Sequence, residues 1–202
     1  LNKVKCLFPI SYLGPVAYYS AILQSEEIFI ETKEHFIKQS FRNRCTIMGA
    51  NGSQTLTIPK ERKSSDKTLI SDISISNQDN WQKSHWQSIV SAYNSSPFFE
   101  YYKDELFPFY NTKHNTLFDF NLKLSKTILE LMQVEKKINF ISKFQKEFNG
   151  LDFRSSKFIL KNQEEYQQVF CEKYSFIPNL SILDVLFNLG PETTSYLERQ
   201  SI

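Results

Sequence analysis

Basic side chains crowd the segment between residues 34 and 44. Arg42 and Arg44 are separated by one residue, so on a strand their side chains would point to the same face. Two guanidinium groups side by side repel each other unless an anion or an acid lies between them. The planar fork of arginine matches the oxygens of a phosphate or a carboxylate. This spacing therefore predicts an anion-binding site at Arg42 and Arg44.

His35 and Lys38 precede the two arginines. His35 is a candidate to accept or donate a proton in catalysis, because histidine is the residue that most often does so in enzymes. Lys38 would add positive charge to the anion site. The alternative is a solvated basic edge in which the cations pair with Glu31 or Glu34.

A second group of candidates lies on the predicted helix WQKSHWQSIVSAY, where Trp81, His85 and Tyr93 fall near one face. His85 is a candidate general acid or base. Trp81 and Tyr93 are candidates for stacking on the sugar or base of a substrate. The alternative is structural, because a histidine on an apolar stripe is commonly a hydrogen-bonded core residue and aromatic rings fill cores.

The third candidate is the turn from Pro9 to Pro15, which contains Tyr12 and Gly14. Helix N-termini at the carboxyl ends of strands favour anions, and this turn joins a predicted strand to a predicted helix. It is neither a GxGxxG nor a Walker motif. It also lacks both histidines of the HxGH turn of nucleotidyltransferases. The alternative is a turn in which glycine and proline serve only the backbone shape.

An α/β fold is expected to position these residues. Residues 4–10 (VKCLFPI) predict a buried strand, VAYYSAILQS follows at helical spacing, and residues 27–31 contain the next strand. A strand, a tight turn, a helix and a strand are typical of a βαβ unit, so the two strands should be parallel. Residues 137–142 (KINFIS) predict a third parallel strand. We expect a small, mostly parallel, three-layer Rossmann-like sheet.

A hairpin is predicted around Ala50-Asn51-Gly52-Ser53, between the β-rich runs RCTIMG and QTLTIP. Asn-Gly favours such turns because both residues tolerate positive φ. The polar stretch ERKSSDKT predicts a loop, and the alternating LISDISIS after it predicts another strand.

The C-terminal half is predicted to be mainly helical. Cap residues mark three helices beyond the one at Trp81: one that starts at Ser96-Pro97, one from Thr116 to Met132, and one from Ser181 to Gly190. Residues 143–173 have weak periodicity, and no element is assigned to them.

Composition limits the classes of function. The 202 residues, 41% of them hydrophobic, fit one α/β domain over residues 1–202, with a core rich in the 18 Phe and 10 Tyr. A net charge of only +2 argues against a polycationic DNA-binding surface. Three cysteines without CxxC spacing argue against a disulfide framework and a zinc site, and favour the cytoplasm. We predict no metal, no cofactor and no transmembrane segment.

Several blocks, taken in order, resemble the WbqC-like family. They are FPISYLGPVAYYSAIL, ETKEHFIKQSFRNRC, the GANG turn with LTIP, WQKSHWQSIVSAYNSSPFFEYY and IPNLSILDVLFNLGPE. The resemblance covers nearly the whole chain. Other members begin the first motif with Gln-Pro, where this chain has Phe8-Pro9. Some members are encoded in bacterial gene clusters for O-antigen and other surface polysaccharides.

The resemblance implies a small-molecule transferase of surface-polysaccharide biosynthesis, with acyl or aminoacyl (glycyl) transfer to a nucleotide-linked amino sugar as the expected reaction. The partner would be a phosphate-bearing small molecule such as a nucleotide sugar. One alternative is a nucleotidyltransferase-like nucleotide-binding protein. Another is a non-catalytic partner or scaffold protein, which the abundance of aromatic residues would suit.

Overall fold

A four-stranded parallel sheet organises the chain. The computed structural model describes residues 4–61 and 68–201, and its sheet has the strand order β5-β2-β1-β6. These strands are β1 (Lys5–Phe8), β2 (Glu27–Glu31), β5 (Ile138–Ile141) and β6 (Leu151–Asp152). The predicted βαβ unit and the predicted third parallel strand are confirmed. β1 is shorter than residues 4–10, since Pro9 has no N–H to donate to the sheet.

An antiparallel hairpin lies apart from this sheet. It consists of β3 (Arg44–Gly49) and β4 (Gly52–Thr57), and it confirms the predicted pairing. The turn itself is displaced by one residue, because Gly49 lies opposite Gly52 and the two turn residues are Ala50 and Asn51. Of the expected Asn-Gly pair, only Gly52 has a positive φ, at 103°. Glycine adopts this conformation without strain.

Helices cover the sheet and the hairpin. They are α1 (Val16–Gln24), α2 (Trp81–Tyr93), α3 (Phe99–Asn111), α4 (Leu117–Leu131), α5 (Cys171–Tyr174), α6 (Ile182–Leu189) and α7 (Thr193–Arg199). The predicted caps at Thr116 and Ser181 are confirmed, since each hydroxyl accepts a hydrogen bond from a first-turn amide. Ser96 does not cap α3. Its hydroxyl donates to the Tyr93 carbonyl at 2.6 Å and so closes the end of α2 instead.

The predicted strand at residues 69–76 is wrong. Ile70–Asp72 form a short 3-10 helix, and the residues around it make isolated bridges to three separate segments. The alternation arises because Ile70, Ile73 and Ile75 all point into the core. Most of the predicted polar loop before it, residues 62–67, lies outside the described residues.

The core is rich in aromatic side chains, as the composition predicts. The largest fully buried side chains include Phe8, Tyr12, Tyr18, Tyr93 and Phe158. Phe158 belongs to the stretch 143–173, for which the sequence predicts no element, and this stretch also supplies β6. Residues 143–173 therefore contribute both to the edge of the sheet and to the core.

Candidate functional site

Charged side chains gather where the parallel strands end. Glu31 is the last residue of β2, and Asp152 is the last residue of β6. Glu34, Arg42 and Arg154 lie in the connections that follow or approach these ends. In open α/β sheets this edge is where ligands bind. The five residues are called the charged cluster below.

Glu34 and Arg42 form a buried ion pair within the charged cluster. The Arg42 Nε donates to Glu34 Oε1 at 3.0 Å, and its Nη2 donates to Glu34 Oε2. Nη2 also donates to the Arg154 carbonyl at 3.1 Å. Arg42 is only 3% exposed. Burial raises the pKa of Glu34, although the Arg42 guanidinium opposes that shift.

Arg154 joins the two strand ends. Its Nη1 donates to Glu31 Oε2, and its Nε donates to both carboxylate oxygens of Asp152 at 3.0 Å. Partial burial acts to raise the pKa of Asp152, but hydrogen bonds from Arg154 outweigh it and lower that pKa. Glu31 is completely buried, so this contact places a carboxylate that has lost its hydration against a cation.

A cleft of about 320 Å³ opens beside the charged cluster. Its walls carry hydrogen-bond donors and positive charge, and they are formed by Pro9, Ile37, Gln39, Ser40, Phe41, Arg42, Arg154, Ser155, Ser156, Lys157 and Phe158. Within residues 4–61 and 68–201, the Nη1 group of Arg42 has no hydrogen-bond partner. Arg42 lines the cleft, so a guanidinium that Glu34 already orients borders this open space.

Two residues of this cleft have strained backbone. Gln39 has a φ of 55° and Phe158 a φ of 47°, and neither is glycine. Positive φ is unfavourable for residues with a side chain, especially a bulky one. Such strain persists only where surrounding contacts enforce it, and it concentrates at functional sites. The two walls of the cleft are held in shape by the rest of the fold.

Arg42 and Arg44 do not share a strand face, contrary to the expectation. Arg42 lies in the turn before β3, whereas Arg44 is the first residue of β3. Of the two arginines, only Arg42 pairs with an acid in the described part of the chain, and that acid is Glu34. Arg44 is half-buried, its Nε is buried without a described partner, and it is not among the residues that line the cleft.

His35 and Lys38 are both exposed on the connection from β2 to β3. His35 makes a backbone bridge to Leu69. Neither residue lines the cleft, although Ile37 and Gln39 do. The structure therefore brings Arg42, but not its three predicted neighbours, into the charged cluster.

Trp81 and His85 lie in a sealed aromatic cluster. The Tyr12 hydroxyl is 2.9 Å from His85 Nδ1 and 3.1 Å from the Tyr110 hydroxyl. The ring centroids of Trp81 and His85 are 5.1 Å apart. Burial lowers the pKa of His85 to about 4, so its imidazole is neutral at pH 7. These contacts match the structural alternative for the helix.

Tyr93 and Gly14 are also enclosed. The Tyr93 hydroxyl accepts from the Met48 amide at 3.5 Å, and its ring packs against Phe187. A Cβ at Gly14 would lie 2.7 Å from the Tyr18 ring, so packing alone requires glycine here. From the predicted turn, only Pro9 reaches the cleft.

Sequence reasoning missed Asp152, Arg154 and the serines and lysine at 155–157. Asp152 ends β6 and the others follow it, and this strand of two residues is too short to produce a periodic pattern. The signal that was present is Asp152-Phe153-Arg154, in which opposite charges two residues apart flank an apolar one.

Among residues 4–61 and 68–201, no group of three or more His, Cys, Asp or Glu side chains is placed to hold a metal ion. No helix in the described part of the chain is long and apolar enough to cross a bilayer.

Comparison with known proteins gives one family. The model of the WbqC-like protein family matches residues 11–161 and 142–196. The uncharacterized protein Rv1507c of Mycobacterium tuberculosis is 25% identical over an alignment 221 residues long, gaps included, and the alignment covers 93% of this chain and 94% of that protein. No solved structure matches the chain significantly.

Proposed function

The chain belongs to the WbqC-like protein family, and we propose that it is a small-molecule transferase whose cleft binds the phosphate of its substrate. The reaction we assign is acyl or aminoacyl transfer, such as glycyl transfer, from an activated donor such as a thioester to the amine of a nucleotide-linked amino sugar in surface-polysaccharide assembly. The new amide bond forms as the bond from the acyl carbon to the donor's sulfur breaks, and the donor's thiol leaves with the proton lost by the amine. The phosphate would bind beside the charged cluster, where Arg42, Lys157 and the serines at 155 and 156 line the cleft.

The observation that carries this proposal is the state of Arg42. Glu34 holds its guanidinium from one side, so the group is oriented before any ligand arrives. The Nη1 group is left for a ligand oxygen, and charge-assisted bonds of this type are strong. A donor fixed in advance loses little entropy on binding. Phosphate is the ligand group that fits a guanidinium, a lysine and two hydroxyls together.

Transfer to an amine requires a base, because the ammonium proton must leave as the new bond forms. Of the two predicted histidines, His85 is sealed and His35 is exposed. We therefore assign proton transfer to His35, which lies next to Glu34 in the chain, and regard His85 as a structural residue. The loop that carries His35 would have to bring the imidazole to the cleft when substrate binds.

Binding measurements on a matched pair of arginine variants test the anion site. Isothermal titration of inorganic phosphate and of UDP-N-acetylglucosamine would compare wild type, Arg42→Lys and Arg44→Lys. We expect Arg42→Lys to weaken binding of both probes at least tenfold. A lysine ammonium cannot replace a guanidinium that pairs with Glu34 on one side and with a phosphate on the other. Arg44→Lys should leave binding unchanged, since Arg44 does not line the cleft.

Lys157→Ala provides a second variant on the rim, in case Arg42→Lys does not fold. It should weaken phosphate binding severalfold and make the remaining affinity depend more strongly on Arg42. The melting temperature should not change, because Lys157 is exposed. If neither Arg42→Lys nor Lys157→Ala alters binding of a probe that wild type binds, the phosphate site lies elsewhere.

A role in holding a protein partner is the second candidate. Tyr101 and Phe107 are exposed on α3, and both are large and apolar. This function needs no small-molecule ligand. It is favoured if wild type binds none of the phosphate probes and Tyr101→Ser abolishes a complex isolated with the intact protein.

A further inference from the structure

One large aromatic side chain beside the cleft is exposed. Phe144 is 63% exposed, and the Arg154 guanidinium lies over its ring at 5.7 Å from the centroid. Arg154 lines the cleft, so Phe144 contacts a residue of the cleft wall without lining the cleft itself. The aromatic residues that the sequence nominates for stacking, Trp81 and Tyr93, are buried and cannot meet a ligand.

The backbone next to Phe144 is held by charged side chains. The Gln145 amide donates to Glu31 Oε1 at 3.0 Å, and the Gln145 carbonyl accepts from Arg154 Nη1 at 2.9 Å. The backbone amide and the backbone carbonyl of Gln145 are thus both held by side chains of the charged cluster. Glu31 is completely buried, so its bond to a surface segment holds that segment firmly against the strand ends.

An exposed phenylalanine with a fixed backbone offers a flat apolar face to a ligand. One side of the ring meets Arg154, which leaves the remaining surface open to solvent. Nucleic-acid bases stack on such aromatic faces regardless of their identity, because every base has a π-face. The neighbouring cation strengthens this preference, since a guanidinium also stacks on flat rings.

We propose that Phe144 is a specificity-determining residue that stacks on the base of a nucleotide whose phosphate binds at Arg42. This inference rests on the proposed anion site and its nucleotide-linked substrate, and it adds the residue that would distinguish nucleotides from simple sugar phosphates and aliphatic phosphates. Arg154 lies between the two subsites: its carbonyl accepts from Arg42, and its guanidinium covers Phe144.

Three probes separate the base from the phosphate: inorganic phosphate, glucose 1-phosphate and uridine monophosphate. Calorimetric titrations would use intact wild type, Phe144→Ala and Phe144→Trp. We expect Phe144→Ala to weaken binding of uridine monophosphate about tenfold, in the range known for base–aromatic stacking. Binding of the other two probes should change less than twofold. Phe144→Trp should restore or exceed the wild-type affinity for uridine monophosphate.

Other outcomes overturn the proposal in distinguishable ways. If Phe144→Ala weakens all three probes equally, the ring only positions Arg154. If it weakens glucose 1-phosphate as much as the nucleotide but spares phosphate, the subsite accepts a sugar ring and the nucleotide assignment is wrong. If no probe responds to Phe144→Ala while Arg42→Lys still abolishes binding, the anion site stands and the stacking role fails. Failure of the anion site itself appears as wild-type binding that is insensitive to Arg42→Lys.

Discussion

Buried polar groups are stabilised in opposite ways in the charged cluster and in the aromatic cluster, which consists of Tyr12, Trp81, His85 and Tyr110. In the charged cluster, Glu34 pairs with Arg42 and Glu31 pairs with Arg154, and Arg42 also lines an open cleft. In the aromatic cluster, His85 and Tyr12 satisfy each other as neutral groups and are sealed by rings. Burial by itself therefore does not mark a functional residue. A buried group that keeps its charge and an unused donor next to open space is the stronger candidate.

Removal of Glu34 should produce the largest effect. Glu34→Ala leaves the Arg42 guanidinium buried without its counter-charge, which should lower the free energy of unfolding by about 3–5 kcal/mol. Urea unfolding followed by circular dichroism measures this change. The control is Glu164→Ala, because the Glu164–Arg199 pair is exposed and should contribute at most about 1 kcal/mol. Equal losses in the two variants would show that the Glu34–Arg42 pair is not held as described.

The aromatic cluster should respond to pH. Burial lowers the pKa of His85 from 6.5 to about 4, so between these values the unfolded chain binds a proton that the folded protein does not. The contribution of neutral His85 to stability is complete above pH 6.5 and falls by up to about 3 kcal/mol as the pH drops towards 4.

His85→Gln isolates that contribution, since all other titrating groups stay the same. Urea unfolding of wild type and His85→Gln at pH 7 and at pH 4.5 should show a stability difference that shifts in favour of the variant by about 2–3 kcal/mol at the lower pH. A difference that is the same at both pH values would mean that His85 is accessible to protons in the folded protein. It would then return as a candidate acid or base.

The smallest change should come from the Tyr12 hydroxyl. Tyr12→Phe keeps the ring and removes the group that contacts His85 and Tyr110, which should lower the free energy of unfolding by about 1–2 kcal/mol. Phosphate binding should stay at the wild-type value, because the aromatic cluster does not line the cleft. Loss of binding with an unchanged melting temperature would connect the two clusters and weaken the contrast between them.

Elements with strong local signals could be predicted from the sequence. Pro15 and the apolar spacing after it indicate α1, Thr116 and Ser181 indicate their helices, and Gly52 indicates the hairpin. The prediction failed at residues 69–76, where alternation came from packing against three segments rather than from a strand. It also failed at Ser96, where the hydroxyl had a second backbone partner within reach.

The candidate site could be predicted only in part. The chemistry of Arg42 marks it as a candidate in the sequence, and its partner Glu34 is only eight residues away along the chain. No sequence signal marks Arg154, because β6 is two residues long and carries no periodic pattern. Phe144 was equally hidden, since its significance depends on exposure and on the guanidinium beside it.

Local sequence signals are sufficient for the parallel βαβ start, the hairpin, the helical second half and the presence of an arginine suited to anions. Turn residues, caps and apolar spacing act over a few residues, so they can be recognised along the chain. Which charges meet depends instead on how distant segments pack. Arg154 contacts Glu31 across 123 positions and Arg42 across 112. Those contacts exist because β1, β2 and β6 end at one edge of the same sheet, which brings distant residues together where a ligand can bind.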